Sequence, residues 1–355
     1  MSDKPSIKRE IFLEIYIAIV FASFTAFPFY GDMGMAKLLR IWIYAAIVWF
    51  AITWVLIKRC DYLVGWLHNS FTWLEQKMSG LKDWTFYLLA WGIIIIAWLP
   101  AFLALYPGIF GYDAPLQLCQ WMGTMEMTDH HPVAHTALLG ILYNIGSAIS
   151  GSPNGGIALY TIVQALCVTS ALAYVVYVMR RFGASSIYIL LSLIWMAFNP
   201  FLKVLSFNST KDIFYGVMMA YFMMLLYQWL MLDSMNRRMM ISLISSGILM
   251  CLFRHQGVYV LAVFAIFALF MKNADGSKLL KSKKWMTVIS IVIIIVVAEA
   301  FSVFCHKVMH FEPSDSREML SLPMQQMAYV CDLKLEGQPV DVTDEDLAQV
   351  ERFIP

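Results

Sequence analysis

Charge is scarce in this chain. Of its 355 residues, 14% are Asp, Glu, Lys or Arg and 60% are hydrophobic, with a mean hydropathy of +0.68. So little charge cannot cover a soluble surface, which places the chain among polytopic membrane proteins. An excess of one sign is also missing: 25 basic residues face 24 acidic ones, which argues against a nucleic-acid partner. The six cysteines, Cys60, Cys119, Cys167, Cys251, Cys305 and Cys331, stand singly with no C-x-x-C pair and read as apolar filler. No charged leader with a short apolar run and small-residue cleavage site is present, so the first apolar run, from Ile11, is expected to stay as a span. Solenoid-type repeats and low-complexity tracts are absent too.

What the chain does have is long apolar windows, at 11–30, 40–58, 85–105, 157–179, 184–202, 213–232, 239–253, 257–271 and 285–305. A helix rises about 1.5 Å per residue and must cross about 30 Å of hydrocarbon, so most of these fit, while 239–253 and 257–271 are short. Backbone in lipid must satisfy its own hydrogen bonds, which makes helix the default. The expectation is an all-α, multi-pass protein with about nine transmembrane helices.

One window, 133–150, is apolar but carries His135, Asn144 and several small residues. Charge placement decides how it is read. If it does not cross, the N-terminus, the 58–84 loop, Arg180-Arg181, Arg237-Arg238 and the 272–284 loop share one side and hold most of the 25 basic residues. If it crosses, the dense later clusters are translocated, which the positive-inside rule disfavours. The window is therefore read as a re-entrant or surface-lying helix on the outer side, with the N-terminus cytoplasmic. The parts are then 1–84, two spans and an amphipathic connector bearing Trp66, Phe71 and Trp73; 85–305, a transmembrane core with an outer loop at 106–156; and 306–355, an extracytoplasmic tail. That tail has a helix start at Thr343 with Asp346 three positions on; it is expected either to pack on the outer loops or, as its abrupt end favours, to be truncated.

The chemistry concentrates in Tyr106–Thr136. This stretch contains no Lys or Arg yet holds Asp113, Glu126, Asp129, His130, His131 and His135. Asp113, just past the outer end of a span, can accept a proton or hold a cation, or it can cap a helix over 114–125. Asp129, His130 and His131 offer oxygen and nitrogen ligands that suit Mn or Zn better than Mg, or serve as interfacial groups bonded to backbone and headgroups. Lys211 and Asp212 open the 213–232 window, where a lysine and helix-start amides can neutralise a lipid phosphate, or a lysine can simply snorkel. Arg254 and His255 lie between two short apolar runs, and an arginine so near hydrocarbon needs a protein or anion partner. Arg317 and Glu318 in SDSREML could close over the site from the tail, or belong to a solvated amphipathic helix, the reading their local pattern favours.

At these residues the chain resembles the GT-C class of integral-membrane glycosyltransferases, and more closely an uncharacterised bacterial multi-spanning group of that class. The resemblance rests on YPGIFGYDAP, HHPVAHTALLG, Arg180-Arg181, FNSTKD and RHQG, and covers roughly 85–330. It implies a transferase in the bacterial plasma membrane that moves a sugar from a polyprenyl-phosphate-linked donor to a cell-envelope acceptor on the outer face. Asp113 becomes the catalytic base. Lys211, Asp212, Arg254, His255 and Arg317 become substrate contacts, and Asp129, His130 and His131 ligands of a divalent metal, Mn or Mg. Two spans precede the matching region, and the acid is a single Asp113 without the second carboxylate many members carry. A transporter or lipid flippase, and a scaffold without chemistry, stay open as alternatives; a carrier would be expected to place charge at mid-span.

Overall fold

The computed structural model describes residues 7–26, 35–111, 113–232, 236–270, 281–312 and 321–351. Among these residues the regular structure is helical, with isolated bridges in place of strands. The chain falls into two compact units: Met1–Ala97 with Leu172–Asn199 and Phe270–Lys281, and Trp98–Ala171 with Pro200–Leu269 and Ser282–Pro355.

The first unit holds α1 (Ile7–Ala26), α2 (Met35–Ser70), α3 (Thr72–Ser79), most of α4 (Asp83–Ala104), the last part of α7 (Pro153–Arg181), and α8 (Ser186–Phe198). The expected 58–84 connector is helical: α2 runs on to Ser70 and α3 follows at once, with Trp66 and Trp73 exposed. Glu75 of α3 closes the N-terminus of α8, accepting from the Ser186 amide at 2.6 Å and from the Ser185 and Ser186 hydroxyls. It therefore satisfies donors that a helix start leaves open. Arg180 donates to the Leu81 carbonyl, reaches Asp83 at 3.6 Å and lies over the Phe86 ring.

The second unit holds the end of α4, then α5 (Ala114–Trp121), α6 (Val133–Ser150), the first part of α7, α9 (Pro200–Ser206), α10 (Lys211–Met231), α11 (Arg237–Phe253), α12 (Gln256–Phe270) and α13 (Lys281–Lys307). In the tail lie α14 (Ser321–Leu335) and α15 (Asp344–Glu351), the latter opened by the expected reciprocal cap between Thr343 and Asp346.

Six described helices are long and apolar enough to cross a membrane, or seven if α8 and α9 count as one span, where nine were expected. The difference has local causes. The apolar part of α1 is short, and α11 and α12 reach only 17 and 15 residues. The window at 184–202 breaks at Asn199-Pro200, where proline disfavours helix in the residue before it.

By length and composition α6 is one of the six, although the sequence reading kept it from crossing. Its contacts carry further information. His135, in its first turn, meets Tyr160 of α7 at 2.7 Å, and Gln164 one turn on donates to the carbonyls of Ser206 and Asn208, just ahead of α10. Farther along, Ser170 of α7 meets Tyr221 of α10 at 2.5 Å. Hence α7 and α10 leave the same end of the unit in the same direction, and α6 begins at that end. The two helices of the α6–α7 hairpin cross tightly: a Cβ on Gly146 would stand 2.4 Å from the Gly155 carbonyl oxygen.

One end of the second unit thus gathers the C-terminal ends of α4, α11 and α13 and the starts of α6, α10 and α12. Beneath it lies an apolar floor of Ala114, Leu139, Tyr160, Phe214 and Phe253. The Phe214 and Phe253 rings are 5.4 Å apart. Aromatic burial of this kind supplies both area and geometry.

Candidate functional site

Two loops set the frame. The chain after α4 and the chain before α10 pair through backbone: Ile109 donates to Phe207 at 2.8 Å and Ser209 to Ile109 at 2.9 Å. Gly108 lets this happen, because its φ is +127° and a Cβ there would stand 2.2 Å from Thr161 Oγ1. Only glycine tolerates that conformation with so little space. The carboxylate of Asp113 and the ammonium of Lys211 are thereby delivered to one another.

Asp113 precedes α5 but its side chain makes no capping hydrogen bond there. Instead Lys211 Nζ donates to Asp113 Oδ2 at 2.9 Å and to His131 Nδ1 at 3.2 Å, with His131 Nδ1 3.6 Å from the same carboxylate oxygen. Because the ammonium has only donors, His131 accepts at Nδ1 and carries its proton on Nε2. Burial alone would push the Asp113 carboxyl up. The hydrogen bond and charge of Lys211 outweigh it and hold the group below the ordinary carboxylate value.

Next along α10, Asp212 Oδ1 takes Arg254 Nη1 at 2.6 Å. The Asp212 amide is capped by Thr210 Oγ1, which fixes the first turn of α10. Arg254 ends α11 in an extended conformation, is braced by Gln256 Oε1 at 3.1 Å and lies 5.7 Å from the centre of the Tyr215 ring. That geometry suits a cation–π contact.

His255 then faces the third carboxylate: its Nε2 is 3.1 Å from Asp129 Oδ1, and His306 Nε2 at the end of α13 is 3.1 Å from Asp129 Oδ2. The His306 contact is close without being aligned as a hydrogen bond. The hydrogen bond to Asp129 lifts His255 above the ordinary imidazole value, against the opposing effect of its burial. Asp129 is held by backbone as well, since its amide donates to Glu312 at 2.9 Å and Glu312 donates to Met127. Beside it lies a cavity of ≈ 210 Å³ lined by Asp129, His255, Glu299, Ser302, Cys251 and Cys305, among others.

The expected metal trio does not converge. His131 turns to Asp113 and Lys211, while Asp129 turns to His255 and His306. Among the described residues no group of three His, Cys, Asp or Glu is arranged to hold a metal ion, so no step is routed through one. Of the expected substrate contacts, Lys211, Asp212, Arg254 and His255 come together with Asp113, and Arg317 lies outside the described residues.

His135 is no ligand either. It lies buried among Gln117, Tyr160, Phe214 and Phe253. The single Tyr160 proton goes to Gln164 Oε1, whose amide is already committed to two carbonyls, so His135 Nε2–H donates to Tyr160. Gln117 Oε1 stands 2.5 Å from His135 Nδ1, which in a neutral ring that donates at Nε2 is an acceptor; turning the Gln117 amide over puts its otherwise unpartnered nitrogen there as the donor. The result is a one-way hydrogen-bond chain from α5 through α6 and α7 to the loop before α10. It holds Asp113 and Lys211 in register from below.

Sequence reasoning missed Gln117, Tyr160, Gln164, Tyr215 and His306. Uncharged polar residues inside helices look like tolerated exceptions, and His306 looks like the end of a span. The one available signal was spacing: Ser302 and His306 share a helix face one turn apart.

No curated protein and no solved structure matches the chain. A family model described as a family of unknown function, DUF6020, matches residues 122–354. The matched stretch takes in Asp129, His131, Lys211, Asp212, Arg254, His255 and His306, and Asp113 lies ahead of it. Since that match spans more than half of the chain, the protein belongs to the DUF6020 family.

Proposed function

We propose that this protein is a GT-C-type membrane glycosyltransferase that moves a sugar from a polyprenyl-phosphate-linked donor to a cell-envelope acceptor on the outer face of a bacterial plasma membrane. The observation that carries the reading is the convergence of Asp113, Lys211, Asp212 and Arg254 at one end of the helices of the second unit. A carboxylate beside two cations is what a reaction with an anionic leaving group and a hydroxyl acceptor needs.

In that reaction the acceptor hydroxyl oxygen bonds to the anomeric carbon and the bond from that carbon to the phosphate oxygen breaks. The electron pair leaves on the phosphate, and Asp113 takes the acceptor proton. Lys211 and Arg254 stabilise the released charge. The aromatic floor under the site and the apolar helix walls suit a lipid-borne donor.

The orientation has support of its own. At the opposite ends of the second unit's helices stand Arg237, Arg238, Lys283 and Lys284, and Lys283 is anchored to the Leu232 carbonyl and over the Trp229 ring. A basic far end and a mixed-charge site end match an outward-facing site. In this reading α6 stays on the outer side, because it and α7 both meet the site near their starts. The ion-paired groups lie at helix ends, which favours a transferase over a carrier with mid-span charges.

The test is transfer of radiolabelled sugar in membranes carrying the wild type or Asp113→Asn. Loss of transfer with normal expression and membrane insertion is expected. Full activity in the variant would overturn the assignment of Asp113 and with it the transferase reading.

A further inference from the structure

Both cations of the site are already occupied. Lys211 holds Asp113 and Arg254 holds Asp212, and an incoming phosphate must displace a carboxylate from each. We infer that Asp113 and Asp212 are resting counter-ions of an anion site, displaced when a phosphodiester binds Lys211 and Arg254, so that the base is released only with the donor in place. This inference rests on the donor reading above and adds its regulation.

Three features set the direction of exchange. In each pair the carboxylate is the more open partner: the Asp113 side chain is 42% exposed against 18% for Lys211, and that of Asp212 49% against 39% for Arg254. The carboxylates can therefore swing toward water while the cations stay.

The cations also keep neutral partners when the carboxylates leave. Lys211 retains His131 Nδ1, and Arg254 retains Gln256 Oε1 and the Tyr215 ring. A guanidinium held in plane by such partners presents its fork for bidentate phosphate binding.

Finally, Lys211 and Asp212 are the first two residues of α10, where the helix dipole favours an anion over a second cation. Water reaches the carboxylate of each pair, which weakens the pair and makes it exchangeable. A freed Asp113 has lost the lysine contact that held its carboxyl below the ordinary value and made it a poor base.

The chemistry is that of a phosphodiester monoanion, available from a lipid-linked sugar or from a bulk phospholipid headgroup. The probe is dibutyl phosphate, singly charged across the working pH range, titrated calorimetrically against the full chain in a polyoxyethylene detergent. Asp113→Asn and Asp212→Asn are each expected to tighten binding several-fold, with the two effects multiplying, while Lys211→Met and Arg254→Gln weaken it at least tenfold. Should the Asp113 variant fail to fold, the more exposed Asp212→Asn carries the test alone.

Unchanged or weaker binding in the Asn variants, with the cation variants still impaired, overturns the exchange and leaves the donor reading standing. Absence of phosphodiester binding in every protein overturns both. Displacement of the probe by a farnesyl phosphoryl hexose and not by phosphatidylglycerol is the expected result of competition. Displacement by phosphatidylglycerol alone overturns donor gating.

Discussion

Lys211 Nζ lies 2.9 Å from Asp113 Oδ2 although 98 positions separate the two residues. That ion pair joins the loop after α4 to the first turn of α10. It is stabilised from beneath by a buried hydrogen-bond chain and from the side by His131.

Removing the ammonium tests its structural share. Lys211→Met leaves Asp113 beside His131, and because the carboxylate is 42% exposed, water recovers much of the loss. A destabilisation of about 1 kcal/mol is expected, read as a shift in thermal unfolding of the detergent-solubilised protein. A loss several times larger would mean that the pair is the keystone of the fold.

The buried chain should be more sensitive. Tyr160→Phe leaves His135 Nε2–H and Gln164 Oε1 without partners in a fully buried setting. The expected cost is about 1–3 kcal/mol. Thermal unfolding of Tyr160→Phe alongside Gln164→Leu measures it, and stability equal to wild type in both would show that the chain does not hold the site.

Gly108→Ala strains the backbone at φ +127° and drives a Cβ against Thr161. A cost of about 1–3 kcal/mol is expected. Thr161→Ala added to it relieves the collision but not the backbone, so the double variant should recover only part of the loss. Complete recovery would place the whole effect in the side-chain clash.

Stability should fall on both sides of an intermediate pH. Asp113 is held below its ordinary value, so its stabilisation is present above the ordinary carboxylate value and disappears as pH falls through the folded value. His255 is held above its ordinary value, so its stabilisation is full below the ordinary imidazole value and disappears as pH rises through the folded value. Unfolding scans from acid to mildly alkaline pH should show both limbs, with His255→Asn removing the alkaline one. An alkaline limb that survives in that variant would assign it to another group.

Labelling of single introduced cysteines tests the placement of α6. Ser152→Cys and Thr210→Cys should react from one side of the membrane and Asn236→Cys from the other. Reaction of Ser152→Cys together with Asn236→Cys would mean that α6 crosses.

Several members of the site could be read directly from the chain. Asp113, Lys211, Asp212, Arg254 and His255 are each a charged or titratable group at the edge of an apolar run, where its cost demands a partner. Their partners could not be read: an alternating local pattern says nothing about contacts across 98 or 42 positions. The same limit misassigned Asp129, whose neighbours in sequence are His130 and His131 but whose neighbours in space are His255 and His306. Adjacent residues in a turn point apart, so proximity in sequence is weak evidence of shared ligation.

By itself the sequence determined the helical class, the apolar character of the walls and the separation of basic clusters from the mixed-charge face. Helix hydrogen bonds and hydropathy act within a few residues, so a short window contains their cause. Only the tertiary structure decided which carboxylate meets which cation, that Asp113 is a counter-ion instead of a helix cap, and that His135 supports the site from within. Those outcomes depend on helices converging at one end of a packed unit, where distance in space and distance in sequence are unrelated.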